Sequence, residues 1–254
     1  MKITILGTGT SQGIPVIGST HPVCLSDDPR DKRLRVSAMI EVNDQCFVID
    51  CGPDFRQQML HHQVSKIDAM LFTHEHADHT AGLDDLRPFF FRQGAIHCHM
   101  TSRVHKALQE RFSYMFATEN KYPGVADLTI HEFENEPFTV NDVTITPVLA
   151  SHGYIPVHGF RVGDFAYMTD VKTIEPQERK KLKGLKVLVL NMLREEPHKT
   201  HLNLEEALEL INDLQPETTY FTHISHHLGF HKEVEAQLPE NVLLAYDNLT
   251  ITID

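Results

Sequence analysis

Four side chains with metal-binding chemistry lie in one short stretch, in the order His74-x-His76-x-Asp78-His79. They follow directly on the apolar run Ala69–Phe72, which predicts a short strand able to hold them still. Alternate residues of an extended segment share a face, so His74 and His76 are expected to reach one ion. Asp78 and His79 come after the chain bends and are expected to reach a second. Imidazole together with carboxylate suits zinc, manganese or iron better than calcium. A polar turn whose histidines cap the next helix is the competing explanation, and three histidines with an aspartate in this order weigh against it.

More donors are expected where other apolar runs stop. His152 follows Val143–Leu149, Asp170 follows Phe165–Met168, and His223 follows Thr218–Phe221. Each alone reads as a strand-end cap. Taken with the first cluster, they complete two coordination spheres on one edge of a sheet. The chain has 18 histidines, more than a core or surface normally needs, and histidine is the commonest metal ligand.

The elements that must carry these residues are predicted from pattern. Lys2–Leu6, Ser37–Val42 and Cys46–Ile49 read as strands, the latter two a hairpin turning at Asn43-Asp44. Pro53 to Gln63 reads as a helix with proline in its first turn. Strands at Ala95–His99, Leu128–Phe133, Val143–Leu149, His158–Val162 and Phe165–Met168 follow, with a helix over Arg103–Phe112. The last third alternates helices near Glu175–Lys181, Leu204–Leu214 and His231–Gln237 with strands Val187–Leu190 and Thr218–Phe221, and closes on two more strands. Asn203 and Glu206 resemble a capping box at the start of the second of these helices. Clustered strands with helices between them predict two packed sheets covered by helices.

Composition bounds the rest. The chain has 254 residues, 41% hydrophobic and 23% charged, as in soluble globular proteins, and no linker or repeat divides it, so one domain over residues 1–254 is expected. No apolar stretch approaches the ~20 residues of a membrane span. The opening Met1-Lys2-Ile3-Thr4-Ile5-Leu6 lacks the features of a signal peptide, and a cytoplasmic location is expected. Cys24, Cys46, Cys51 and Cys98 form no C-x-x-C pair; the last three read as small buried residues. A net charge of −12 argues against a stable nucleic-acid complex but not against a small anionic substrate, because bound divalent ions reverse the local field.

The ordered set His74-x-His76-x-Asp78-His79, His152, Asp170 and His223, preceded by Val48-Ile49-Asp50-Cys51-Gly52, resembles the metal motifs of the metallo-β-lactamase superfamily along the whole chain. The resemblance implies an α/β fold, an αββα sandwich of two mixed β-sheets flanked by helices. It implies one divalent ion (Zn²⁺ or Mn²⁺) on His74, His76 and His152, a second on Asp78, His79 and His223, and Asp170 bridging. Asp50 reads either as a partner orienting a ligand imidazole or as a cap on the turn before Gly52.

Within the superfamily, Thr222-His223-Ile224-Ser225-His226 and Gly7-Thr8-Gly9-Thr10-Ser11-Gln12-Gly13-Ile14-Pro15 are similar to segments of the phosphoribosyl cyclic phosphate phosphodiesterases, the PhnP-like branch. His198-Lys199-Thr200-His201-Leu202-Asn203-Leu204 resembles the segment that carries a catalytic histidine there and in tRNA 3′-processing endonucleases. By that match His201 is the general acid, with Asp78 the second catalytic side chain; the plainer reading of His201 is a solvated residue before a helix. The implied reaction is attack of a metal-bridging hydroxide on a small cyclic or nucleotide-like phosphodiester, with a homodimer as the family-level expectation.

A tRNA 3′-processing endonuclease, or a thioester or lactone hydrolase on the same dinuclear site, are the alternatives. The phosphodiesterases of this branch also hold a structural zinc on N-terminal cysteines and a late histidine. Here Ser19 and His21 stand at two of the cysteine positions, so His21, Cys24 and His226 either keep a third, structural Zn²⁺ or have lost it.

Overall fold

A computed structural model describes all residues, Met1–Asp254. Strand β1 (Lys2–Gly7) is buried from Ile3 onward because it is an interior strand, antiparallel to β2 (Ser37–Val42). The chain turns into β3 (Gln45–Ile49) through Asn43 and Asp44, with φ of 51° and 59°. Two successive left-handed residues are what a two-residue hairpin with native twist requires. β4 (Ala69–Leu71), β5 (Ile96–Met100) and β6 (Leu128–Glu132) then add in parallel.

The second sheet begins with an antiparallel meander, β7 (Phe138–Val140), β8 (Val143–His152), β9 (Ile155–Val162) and β10 (Phe165–Met168). It continues in parallel through β11 (Val187–Asn191), β12 (Thr218–Thr222) and β13 (Val242–Leu244). The last strand, β14 (Leu249–Thr252), returns to pair with β1. The two seven-stranded sheets therefore run β14-β1-β2-β3-β4-β5-β6 and β13-β12-β11-β10-β9-β8-β7.

Nine α-helical segments surround them: α1 (Pro22–Leu25), α2 (Phe55–His61), α3 (Ala77–Thr80), α4 (Arg87–Gln93), α5 (Ser102–Arg111), α6 (Ser113–Phe116), α7 (Pro176–Arg179), α8 (Leu204–Leu214) and α9 (His231–Glu235). Period-two alternation on strands buried on both faces explains the continuous apolar runs. On β10, Phe165 and Tyr167 join the cluster between the sheets, with Ile5, Phe47 and Leu71. Its other two residues, Ala166 and Met168, join the outer cluster with Leu210, Ile211 and Leu214 of α8. A third cluster packs Phe55, Phe89, Val104 and Leu108 from the other helices onto Met39, Val48 and Met70. The order helix, sheet, sheet, helix is the αββα sandwich, and each fully buried Leu, Ile or Phe in it contributes about 2 kcal/mol.

Helix α8 forms over the expected residues. Asn203 Oδ1 accepts from Glu206 N at 3.1 Å, Glu206 Oε2 accepts from Asn203 N at 3.1 Å, and the helix ends at Gln215, φ 54°. Asn in place of Ser or Thr completes the box because its amide oxygen reaches as far as a hydroxyl. Other boundaries shift. The helix expected over 53–63 spans only Phe55–His61, ended by His62 and by Gln63 at φ 51°. β8 runs three residues past Leu149, because its pairing with β9 continues through Ser151↔Pro156 to His152↔Ile155. His152 is thus the last residue of a strand rather than the loop beyond it. β7, α1, α4 and α6 have no counterpart in the sequence pattern.

Candidate metal centre

The site lies where β3, β4, β8, β10 and β12 stop. Beyond β3, Asp50 adopts φ 60° and its carboxylate is fully buried. It accepts from Thr73 N (2.9 Å) and Thr73 Oγ1 (2.8 Å), and its Oδ2 lies 2.7 Å from His79 Nδ1. Burial raises the Asp50 pKa, and the His79 ring and Thr73 work against that rise. Of the two sequence readings of Asp50, the orienting one matches this geometry: the contact turns His79 Nε2 toward the site. Thr73 Oγ1 also sits 3.1 Å from His74 Nδ1, so one buried aspartate braces two imidazoles, one of them through a hydroxyl.

The segment His74–His79 packs directly on the turn after β3. Cys51 N donates to His79 O (2.8 Å), and a β-carbon on Gly52 would lie 2.0 Å from Asp78 O. Only glycine allows the two backbones this approach. From the second sheet, His152 Nδ1 donates to Thr200 O at 2.8 Å, which leaves its Nε2 facing inward. Asp170 and His223 follow β10 and β12 with φ of 57° and 56°, left-handed corners like that of Asp50.

Asp170 is the meeting point. Its Oδ2 lies 3.2 Å from His79 Nε2, and its Oδ1 lies 3.3 Å from His223 Nε2, 3.9 Å from His152 Nε2 and 3.8 Å from His201 Nδ1. Burial alone would raise the Asp170 pKa, but His223 and His79 hold it well below the carboxylate range. Burial alone would likewise lower the His79 pKa, but Asp170, Asp78 and Asp50 raise it well above that of a free imidazole.

Four sets of donor atoms lie within 4.8 Å of one another: His74, His76 and His152; His74, His79 and Asp170; Asp78, His79 and His223; His152, Asp170 and His201. The first and third are the two triads expected from the sequence, and Asp170 falls between them. This donor set fits a pair of transition-metal ions. Donors bound about 2.1 Å from one tetrahedral ion sit about 3.4 Å apart, close to the spacings around Asp170. Moreover, His79 Nε2 and His223 Nε2 are buried with no hydrogen-bond partner, which is costly unless a cation takes the lone pairs.

His201 is buried beside this centre, its ring 4.7 Å from that of His223 and 4.5 Å from that of His152. It is therefore not the solvated residue of the plainer reading. Burial, then the neighbouring His223, pushes its pKa down to about 2.

The N-terminal trio behaves differently. The rings of His21 and His226 are 5.0 Å apart, yet neither they nor Cys24 belong to any of the four donor sets. Cys24 is buried, and its Sγ accepts from Val16 N at 3.5 Å. Of the cysteines read as buried, Cys51 and Cys98 are so, while Cys46 is half-buried.

Sequence reasoning missed two supports. Asn191, fully buried at the end of β11, grips the chain after Asp170: its Oδ1 accepts from Val171 N (2.6 Å) and its Nδ2 donates to Val171 O (3.1 Å). A polar residue closing the run Val187–Leu190 was the available signal. The Thr200 carbonyl that fixes His152 carries no signal, since any residue supplies a carbonyl.

A family model described as a beta-lactamase superfamily domain matches residues 45–224. The chain is 38% identical, over its whole length, to an octanoyltransferase of Porphyromonas gingivalis, covering 52% of that protein. It is 33% identical to a ribonuclease Z of Methanococcus maripaludis over 37% of this chain and 26% of that one. The chain thus spans about half or less of the curated relatives it matches. Among solved structures, a diphosphatase from the PhnP family superimposes with a TM-score of 0.93 at 37% identity, covering 100% of this chain and 98% of that one.

Proposed function

Since the chain belongs to the metallo-β-lactamase superfamily and to its PhnP-like branch, we propose that this hydrolase cleaves a small cyclic or nucleotide-like phosphodiester. The observation that carries the reading is the position of Asp170, shared between two donor triads and 3.8 Å from His201. His74, His76 and His152 would hold one divalent ion, Asp78, His79 and His223 the other, with Asp170 common to both. Two such ions lower the pKa of water toward ~7 and offset the charge on phosphate oxygens.

The chain's own residues supply orientation and proton transfer. Asp50, Thr73 and the Thr200 carbonyl fix the imidazole faces, so that little reorganisation accompanies binding. Asp78, held ionised by His79 and His223 against the effect of burial, takes the proton of the attacking water. The water oxygen bonds to phosphorus as the ester P–O bond breaks, and His201 gives a proton to the departing oxygen. An anionic diester beside the buried His201 ring favours its protonated form, which the protein alone disfavours.

A second reading, thioester hydrolysis, is suggested by the octanoyltransferase relative, of which this chain covers 52%. Assaying a cyclic phosphodiester, pre-tRNA and an octanoyl thioester side by side, on protein loaded with zinc or manganese, separates the candidates. Preferential turnover of the cyclic diester is expected; preferential turnover of the thioester or the RNA replaces this reading.

A further inference from the structure

Three of the imidazoles have an anchor outside the centre: His74 has Thr73 Oγ1, His79 has Asp50, and His152 has the Thr200 carbonyl. His76 has none. Its ring is half-exposed and its Nδ1 meets only His74 Nε2, at 2.9 Å. Its backbone, however, is gripped. The His76 carbonyl accepts from Thr80 Oγ1 at 2.8 Å, and that hydroxyl accepts from Arg111 Nη1 at 2.6 Å. On the other side of His76, Arg103 donates to Glu75 Oε1 from Nε (2.9 Å) and Nη2 (2.6 Å). Both arginines belong to α5, which contributes no donor atom to the centre.

We infer that α5 acts as an external clamp on the His74–His79 segment, and that Arg111 through Thr80, seconded by Arg103 through Glu75, are positioning residues that keep His76 aimed at the ion it would share with His74 and His152. The inference rests on the ligand reading above. The chemistry is directional: a guanidinium cannot accept, so Thr80 Oγ1 is the acceptor from Arg111 and its single proton goes to the His76 carbonyl at 2.8 Å, the Glu75 carbonyl lying farther off at 3.4 Å. Thr80 is fully buried, and Arg111 reaches its hydroxyl from the exposed end of α5. The C-terminal end of α3 is tied to the turn after β3 through Cys51 N and His79 O, but its N-cap, His76, makes no side-chain capping bond, and a one-turn helix has little stability of its own.

The test is the release of manganese to excess chelator from the loaded protein, counted per chain over time. Variants are Arg111→Met, Thr80→Val, Thr80→Ser and the double variant R111M/T80V. Melting of the metal-stripped proteins serves as the structural control. The expected result is that Arg111→Met and Thr80→Val each release one ion about 10-fold faster, in the range for losing an outer partner of a metal ligand. The double variant releases it no faster than either single one, Thr80→Ser behaves as the parent, and melting of the stripped proteins is unchanged. Release at the parental rate, additive effects in the double variant, or a fall in melting of the stripped proteins that parallels the faster release would overturn the clamp. A parent protein that takes up no metal would instead sink the ligand reading, and the clamp with it.

Discussion

His79 Nδ1 and Asp50 Oδ2 lie 2.7 Å apart, and both side chains are completely buried. A buried carboxylate fixes both the tautomer and the tilt of the ring it contacts. Replacing Asp50 with Asn keeps the shape but removes the charge, and metal affinity is expected to fall 10- to 100-fold. Equilibrium dialysis against graded chelator reads this directly, and unchanged affinity would assign Asp50 to turn geometry alone.

Gly52 leaves no room for a side chain, its would-be β-carbon lying 2.0 Å from Asp78 O. The Gly52→Ala variant must push Asp78 and His79 outward. A loss of about 1–3 kcal/mol in stability is expected, together with reduced metal content. Thermal melting and metal analysis on the same sample check both; normal metal content would show that the segment tolerates the shift.

His201→Ala should leave two ions bound while turnover of an alkyl or sugar diester falls about 10²–10⁴-fold. A p-nitrophenyl diester, whose leaving group needs little protonation, should suffer less. Equal losses on both substrates would mean that His201 positions the diester rather than protonating it. Loss of metal would assign the ring to the donor set it forms with His152 and Asp170.

Acid should weaken the seam where the two sheets meet at β6 and β7. His99 stacks between His131 (4.6 Å) and Phe138 (4.9 Å), and burial drives its pKa down to about 4. His158 is buried nearby against Phe133, its pKa also pushed down to about 4. A histidine whose folded pKa is depressed stabilises the fold fully above its unfolded pKa, and that contribution is lost as pH falls from 6.5 through about 4. Asp247 opposes this: burial lifts its pKa to about 6, so its penalty eases over part of the same range. The test is therefore differential. His99→Phe keeps the stack and removes the titration, and it should gain about 2 kcal/mol on the parent between pH 6.5 and 4. Parallel melting curves of the two proteins against pH would refute the assignment.

Much of the site was legible because its residues break apolar runs. His74, Asp170 and His223 each stand just beyond a strand that has no reason to end in a polar residue unless that residue is used. The sandwich was legible for the same reason, since alternate residues of β10 serve two different cores. What hid from the sequence was short or long-range. β7 spans Phe138–Val140 and owes its existence to pairing with β8, not to its own pattern. The partners of the imidazoles lie up to 48 positions away, as Thr200 does from His152, and periodicity carries no information at that distance. The Asn191 brace was within reach, because it carries the strand-end signal that identified the others.

Asp50, Asp170 and His223 all turn their corners in the left-handed region, at a cost of about 1 kcal/mol or more apiece for residues with a β-carbon. Glycine would sit there at ease. A lineage that abandoned hydrolysis should therefore drift toward glycine at these three positions and grow sturdier as it fell silent. The residues kept at the three corners thus offer a sequence-only criterion for telling working members of the family from decayed ones.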